Sequence, residues 1–368
     1  MDKLKSKISQ IPANRYVDVL MLIFLAVFPL FVKEFRVEMM GRYICYAIFA
    51  LSLDLMWGYT GLLSLGHAVL FGLGGYIIGL SYQFQNGVVP SFMQREGITE
   101  IPWFYVPLEN PIVAAIIGII VPAAVACILG FFMFSSKIKG VFFTIITLAL
   151  AQIFTDFIIN VQKYTNGFNG LQGIKRFAIN GGAPLSKITY YYVILAVAVI
   201  AFLFCLWLTH SRFGKVAVSI RENESRLGFF GYDTAKYKII IYTISGALAG
   251  LAGVLYAPAT STITTENVGV TASTMVVIWV AVGGRGNLTG AFFGAIAVNW
   301  AQSILSEKFS GIWQLIIGAL LLVVIFFIPN GILGQLLALQ RRIISQKAKG
   351  TAVDTELSAE AIGLTERM

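Results

Sequence analysis

The chain has 368 residues, of which 57% are hydrophobic and only 12% are charged, and its formal net charge is +9. An ordinary soluble domain carries about 25% charged residues, so this composition excludes a water-soluble globular protein and predicts one that crosses a membrane several times. The 3 cysteines lie far apart inside apolar runs and lack CxxC spacing. That arrangement argues against a disulfide framework and against a thiolate metal site.

Apolar runs of membrane-spanning length recur along the chain. The runs cover residues 17–33, 41–57, 62–84, 112–134, 141–161, 189–209, 238–257 and 311–328. The first run has no small-residue cleavage site after it, so we expect a retained span rather than a signal peptide. Because a transmembrane helix needs about 20 apolar residues, the pattern predicts an all-α polytopic membrane protein with about 8–10 transmembrane helices.

A further apolar region, 273–305, is interrupted by the sequence GGRGN at residues 283–287. Such a region forms one long span, two short segments or a re-entrant hairpin. We predict two short segments that meet at GGRGN. This choice also places the basic residues after Pro329 on the same side of the membrane as the N-terminus.

Basic residues near the ends of the spans predict the sidedness of the chain. The basic N-terminal segment 1–16 is expected in the cytoplasm, and alternation of spans then places the basic loop 210–238 there as well. The basic loop 162–188 falls on the outer side, which counts against this scheme. We expect a membrane domain over 17–338 and a polar cytoplasmic tail over 339–368 that is disordered.

Glycine is concentrated in two segments, MWGYTGLLSLGHAVLFGLGGY at 56–76 and VGGRGNLTGAFFGAIAVNW at 282–300. Each glycine inside a helix costs about 1 kcal/mol relative to alanine, so the backbone is expected to be broken or closely approached here. The shared spacing of Gly and Leu in the two segments favours an internal repeat with a substrate path at its interface. Tight packing between helices is the alternative interpretation of both segments.

Polar side chains at membrane depth usually face a bundle interior or a cavity, which suggests a solute pathway. Gln152 and Asn299 are suited to hydrogen-bond an uncharged polar solute, whereas His67 either acts on a ligand or simply bonds a backbone carbonyl. Asp54 and Asp156 fall near the ends of predicted spans. Either residue can therefore be a solvated helix cap or a proton relay, and the sequence favours neither role. The candidate pathway residues are Ser64, Gly66, His67, Gln152, Gly283, Gly284 and Asn299.

The sequence argues against catalysis by this chain itself. It has no Gly-x-x-x-x-Gly-Lys-Ser/Thr motif, so it is not a P-loop ATPase. Its 2 histidines lie far apart, and no nucleophile has an evident base nearby. We therefore expect no catalytic residues, no metal site, no cofactor and no nucleic-acid partner, and we interpret the glycines of SGALAGLAG at 245–253 as a helix-packing face.

The most polar internal stretch is AVSIRENESRLGFFGYDTAKYK at residues 217–238. It predicts an amphipathic helix around 215–228 that ends at Gly228 or Gly231, as helix C-termini often do. A solvated loop and a helix lying on anionic lipid are the alternatives. The mixed signs of its charges favour a protein surface, because a lipid surface would favour lysine and arginine alone.

With these segments assembled, the chain resembles the permease subunits of bacterial ABC importers for branched-chain amino acids and urea. The resemblance covers most of residues 41–335, and within the family the chain is most similar to the second permease of the urea importer. The family usually has Ser-x-Glu where this chain has Ser273, Thr274 and Met275. The matching segments are GLLSLGHAVLFGLGGY, TLALAQI, SRFGKVAVSIRENESRLGFFGYDTAKYK, SGALAGLAGVLYA and VGGRGNLTGAFFGA. The features that favour urea are LMWGYTGLLSLGHA, the loop PSFMQREGITEIPWFY, VIWVAVGGRG and SILSEKFSGIWQLIIG.

The resemblance implies a pathway subunit, not an enzyme, that moves a small polar solute inward across the bacterial inner (plasma) membrane. Urea is the first candidate, and a branched-chain amino acid or another amide is the alternative; an ion-coupled secondary transporter and a membrane enzyme fit less well. The implied partners are a second homologous permease subunit, two cytoplasmic ATPase subunits that bind ATP and Mg²⁺, an extracellular solute-binding protein and membrane lipid. Both termini are expected in the cytoplasm.

The resemblance also implies that residues 217–233 form a coupling helix that docks into the ATPase. The residues assigned to coupling in this way are Ile220, Arg221, Glu222, Asn223, Glu224, Arg226, Gly231, Tyr232 and Asp233.

Overall fold

The computed structural model describes residues 13–84, 89–138, 140–177, 184–309, 311–312, 315–316, 318–319 and 331. Most of the expected N-terminal segment 1–16, most of the expected span 311–328 and all of the expected tail 339–368 lie outside the described residues.

The described chain is a bundle of helices with one small strand pair. Six of the described helices are long and apolar enough to cross a membrane, namely Glu34–Thr60, Pro111–Ser135, Gly140–Asn160, Lys187–His210, Thr234–Thr260 and Leu288–Lys308. This confirms the predicted all-α polytopic architecture. The helices are α1 Ala13–Val27, α2 Glu34–Thr60, α3 His67–Gln83, α4 Ser91–Arg95, α5 Pro111–Ser135, α6 Gly140–Asn160, α7 Gln162–Thr165, α8 Lys187–His210, α9 Arg212–Phe229, α10 Thr234–Thr260, α11 Val270–Gly283 and α12 Leu288–Lys308. Two strands, β1 Leu171–Gln172 and β2 Thr262–Ile263, pair antiparallel.

The predicted interruption at GGRGN is confirmed, because α11 ends at Gly283 and α12 begins at Leu288. The two segments are unequal. The first is short at 14 residues, whereas the second has 21 residues and is long enough to cross a bilayer alone.

Two predicted spans need correction. The run 62–84 is not one helix, because α2 ends where Gly61 takes a φ of +82° and α3 starts only at His67. The predicted span 17–33 is instead α1, which begins at Ala13 and is followed by a 3₁₀ turn, Phe28–Leu30. Pro29 lies in that turn, and proline has no N–H to continue an α-helix.

Helix α10 is the centre of the bundle and makes its most extensive contacts with α5, α3 and α2. The backbones approach very closely at glycines. A Cβ atom placed on Gly253 would lie 1.9 Å from the Phe71 carbonyl oxygen, and one on Gly74 would lie 2.2 Å from the Gly250 carbonyl oxygen. The packing interpretation of the glycines in 245–253 therefore fits the structure, since only glycine permits this approach.

Side-chain contacts show which helix ends lie together. His67 meets Ser245 while Gly79 meets Ile263, so α3 and α10 run in the same direction. Helix α2 runs the opposite way, since Tyr46 bonds Tyr256 near the far end of α10. We call the end of the bundle that carries α9 the α9 end, and the end that carries β1 and β2 the β end.

The two glycine-rich segments meet at the α9 end. A Cβ atom on Gly58 would lie 2.6 Å from the Gly286 backbone nitrogen. The end of α2 therefore contacts the turn between α11 and α12 directly. The two segments compared in the sequence analysis are thus neighbours in space.

Replacing Gly253 with alanine tests the dependence of the bundle on backbone approach. Overpacking of this kind typically costs about 1–3 kcal/mol, so we expect Gly253→Ala to unfold at a clearly lower temperature in detergent, followed by tryptophan fluorescence. Gly228→Ala is the matched control, because a Cβ atom on Gly228 meets nothing within 4 Å. Equal unfolding temperatures for the two variants would contradict the packing account.

Candidate functional site

The polar segment at the α9 end is divided in two by Asn223. This residue has φ −161° and ψ 94°, which is not helical, and it interrupts α9 between Arg212 and Phe229. Its side-chain Oδ1 accepts a hydrogen bond from the Arg226 backbone N–H at 3.0 Å. Asn223 therefore acts as the N-cap of a short second helix, which corrects the prediction of one continuous helix around 215–228.

The expected end of the segment at Gly231 is confirmed. Gly231 has a φ of +81°, and its N–H bonds the Gly228 carbonyl. The next N–H, from Tyr232, bonds the Leu227 carbonyl at 3.3 Å. This pair of bonds is the Schellman arrangement that ends helices at a left-handed glycine.

One side of α9 is fixed to the bundle. Ile220 and Leu227 are buried, and Arg221 donates from Nη1 to the Gly58 carbonyl oxygen at 2.5 Å. Arg221 also forms an ion pair with Glu222 at 2.8 Å. The Glu224 carboxylate accepts from the Lys238 ammonium group, so the short second helix is tied to the start of α10.

The second half of α9 and the residues that follow it expose aromatic and charged side chains. Phe229 is 91% exposed, Phe230 is 74% exposed and Tyr232 is 45% exposed. Glu222 and Arg226 are also exposed. Exposed aromatic groups with a charged border are typical of a protein-binding surface; we call these five residues the docking face.

Asp233 forms the boundary between this segment and α10. Its Oδ1 accepts from the Lys236 backbone N–H at 3.4 Å, and its Oδ2 lies 3.1 Å from the Lys236 ammonium group. The hydrogen bond from the Lys236 side chain lowers the pKa of the Asp233 carboxyl below its ordinary value. Asp233 therefore caps α10 in its charged form.

The segment 61–66 is held by side chains of two other helices. The Leu65 N–H donates to the Thr147 hydroxyl at 3.1 Å, and the Ala68 N–H donates to the Ser273 hydroxyl at 3.1 Å. A Cβ atom on Gly66 would lie 2.3 Å from the Thr147 carbonyl oxygen. The non-helical backbone between α2 and α3 is thus packed against α6 and α11, as expected for interrupted helices of a membrane protein.

Ser64 and His67 are fully buried. The His67 Nε2 atom lies 3.0 Å from the hydroxyls of both Ser52 and Ser245, and its ring stacks on Phe49 with a centroid distance of 5.9 Å. His67 thus links α2, α3 and α10.

The remaining candidate pathway residues lie apart from that cluster. Gln152 is exposed on α6 and donates to the Asp156 carboxylate at 3.0 Å. Asn299 is only 6% exposed and donates to the Ala295 carbonyl within α12. Gly283 packs on Gly290, where a Cβ atom would lie 2.0 Å from the Gly290 carbonyl oxygen, and Gly284 has a φ of +117° in the turn that follows.

Among the residues that the structure describes, no group of three or more His, Cys, Asp or Glu side chains is placed to hold a metal ion.

Comparison with known proteins identifies the family. Residues 35–325 match the model of the family described as branched-chain amino acid transport system / permease component. The chain belongs to this permease family. As a permease subunit it is a multi-pass membrane protein and is not an enzyme.

Several curated proteins are similar to this permease. The high-affinity branched-chain amino acid transport system permease protein LivM of Salmonella typhimurium is 23% identical over 90% of this chain and 77% of its own length. The probable branched-chain amino acid transport permease protein LivM of Methanocaldococcus jannaschii is 26% identical over 79% of this chain and 90% of its own length. The ribose import permease protein RbsC of Escherichia coli is 24% identical over 60% of this chain and 70% of its own length. No solved structure matches the chain.

Sequence reasoning missed several residues of the permease that the structure brings to the α9 end. Asp54 was interpreted as a cap or relay, but its carboxylate accepts from the Gly286 N–H at 2.8 Å. The exposed pair Phe229 and Phe230 was not singled out either. The sequence signal for this pair was the pattern Gly-Phe-Phe-Gly inside an otherwise charged loop.

Removing the Asn223 cap is expected to loosen only the short second helix of the permease. Loss of an Asn N-cap costs about 1 kcal/mol, which corresponds to roughly fivefold faster amide hydrogen exchange in residues 224–229 of Asn223→Ala. Asn223→Asp keeps an accepting oxygen and should exchange at the wild-type rate. Unchanged exchange in Asn223→Ala would show that the cap does not hold this helix.

Proposed function

We propose that this permease is the transmembrane subunit of an ATP-driven ABC importer and that its docking face binds a separate ATPase subunit. The observation that carries the proposal is the exposure of Phe229 and Phe230 beside Arg226 on a segment fixed to the bundle. Neighbouring aromatic side chains that face water are energetically unfavourable unless a binding partner covers them. The chain lacks a P-loop of its own, so ATP-driven transport requires the ATPase of a second protein.

The proposal extends to the whole assembly. A second homologous permease completes the membrane part, two ATPase subunits hold ATP and Mg²⁺ in the cytoplasm, and an extracellular binding protein delivers the solute. The basic residues Lys137, Arg212 and Lys215 near the α9 end support a cytoplasmic position for this end of the bundle. We also place the N- and C-termini in the cytoplasm and the protein in the bacterial inner membrane.

One face of α6 supports a position for the second permease. Gln152, Asp156 and Asn160 follow one another at intervals of four residues, and all three are exposed on this helix. The Asn160 amide donates to the Asp156 carbonyl oxygen at 2.8 Å. A row of polar groups facing lipid is costly, so we place this face against the second permease, where Gln152 borders the solute path.

The chemistry near this face favours a small neutral solute such as urea. Neither α6 nor α11 contains lysine or arginine to pair with a carboxylate. The N–H groups of Leu65 and Ala68, near the start of α3, are occupied by the hydroxyls of Thr147 and Ser273. A broken helix can otherwise bind an anionic solute at such a start. Urea is neutral and needs only donors and acceptors, which the Gln152 amide supplies.

A branched-chain amino acid is the second candidate. The support for it is that the relatives covering most of the chain are named as branched-chain amino acid permeases. The Asp156 carboxylate on the exposed face of α6 provides a partner for an amino acid's ammonium group.

The docking face is tested by truncating its aromatic side chains. The double variant Phe229→Ala/Phe230→Ala is expected to lose at least 10-fold in affinity for the cognate ATPase subunit, because buried aromatic anchors usually dominate an interface. Co-purification from membranes and titration of the purified proteins measure this loss. Phe168→Ala is the matched control, since Phe168 is 72% exposed but lies near the β end. Undiminished binding by the double variant would refute docking through this face.

The solute is tested in liposomes that contain the complete complex and receive the binding protein on the outside. We expect urea, and not leucine, to stimulate ATP hydrolysis and to accumulate inside. Gln152→Leu should lower urea accumulation at least fivefold, whereas Ile153→Leu, next to it on the exposed side of α6, should leave it unchanged. Stimulation by leucine alone would replace urea with the second candidate.

A further inference from the structure

Three separate elements meet at the end of α2 that lies beside α9. Asp54 is fully buried, and its Oδ1 accepts from the Gly286 N–H of the turn between α11 and α12 at 2.8 Å. A buried carboxylate needs such partners, because burial removes its hydration. The bond joins residues that are 232 positions apart in the chain.

Two arginines hold the same end of α2 through its backbone. Arg221 of α9 donates to the Gly58 carbonyl oxygen at 2.5 Å, and Arg285 donates from Nε to the Trp57 carbonyl oxygen at 3.1 Å. The Arg285 guanidinium also lies over the Trp57 ring, 5.1 Å from its centroid. The C-terminal carbonyls of a helix carry partial negative charge, so both contacts are electrostatically favourable.

The three elements approach one another closely at two glycines. A Cβ atom on Gly58 would lie 2.6 Å from the Gly286 nitrogen, and one on Gly286 would lie 3.0 Å from the Arg221 Nη1 atom. Gly286 has a φ of +75°, which favours glycine. Because closely packed groups shift together rather than deform, α9, the end of α2 and the α11–α12 turn are mechanically joined.

We propose that this cluster, consisting of Asp54, Gly58, Arg221, Arg285 and Gly286 and called the junction, transmits movement of α9 to α11 and α12. Asp54 and the two arginines are positioning residues for transport. This inference rests on the proposed function, since a docked ATPase is what moves α9.

Helix α11 carries the movement away from the junction. It has 14 residues and is therefore about 21 Å long. Near its other end the Ser273 hydroxyl accepts from the Ala68 N–H at the start of α3. A shift of the α11–α12 turn thus reaches the start of α3, where the broken segment 61–66 ends.

The junction is tested by measuring how much solute the complete complex transports in liposomes for each ATP that it hydrolyses. Asp54→Ala removes the acceptor of the Gly286 N–H, and we expect ATP hydrolysis within twofold of wild type but at least 10-fold less solute transported per ATP. Asp54→Asn keeps an accepting oxygen and should recover the ratio to within threefold of wild type. Glu109→Ala, which changes an exposed acidic residue near the β end, is the control and should match wild type.

A second variant keeps the test decisive if Asp54→Ala does not assemble. Arg285 lies at the exposed edge of the junction, and Arg285→Gln should assemble and transport at least threefold less solute per ATP. An unchanged ratio in the assembled variants would overturn the junction, and so would an equal loss of hydrolysis and transport, since a purely structural role lowers both together. Failure of the wild-type chain to bind the ATPase would instead overturn the proposed function.

Discussion

The direct contact of helix backbones at glycine is the constraint on which the rest of this permease depends. Lipid tails are as apolar as the helices, so no hydrophobic driving force brings the helices together inside a bilayer. Close van der Waals contact has to replace it, and it does so where Gly74 meets Gly250 and where Gly253 meets Phe71. A Cβ atom on Gly250 would likewise lie 2.6 Å from the Gly118 carbonyl oxygen of α5. Helix α10 makes its most extensive contacts with α5, α3 and α2.

Because the centre of the bundle is tightly packed, helical geometry can be interrupted inside it. Residues 61–66 leave helical geometry, and the N–H groups of Leu65 and of Ala68 at the start of α3 donate to the hydroxyls of Thr147 and Ser273. His67 is fixed in the same way between Ser52 and Ser245. Several polar side chains inside the bundle thus bond the backbone or one another, whereas Gln152 and Asp156 bond each other on an exposed face of α6.

Much of the architecture follows from composition and from the position of glycine. The run at 112–134 is α5 almost to the residue, and GGRGN separates two helices because consecutive glycines favour a turn over a helix. The start of α3 was misplaced because Gly-Leu-Leu-Ser-Leu-Gly is as apolar as a helix, so hydropathy does not reveal a break there. Asn223 was missed as a cap because it stands among good helix formers. The bond between Asp54 and Gly286 joins distant parts of the chain, and local pattern carries no information about such a pair.

We propose that this permease transports its solute only when a separate ATPase drives it through α9. The most direct test is uptake of labelled solute into sealed vesicles that hold the complex, with and without ATP at the α9 side, after ionophores have removed all ion gradients. We expect uptake to require both ATP and the ATPase subunits. We expect ionophores to leave uptake unchanged. Uptake that continues without ATP, or that disappears with the ion gradients, would contradict this proposal.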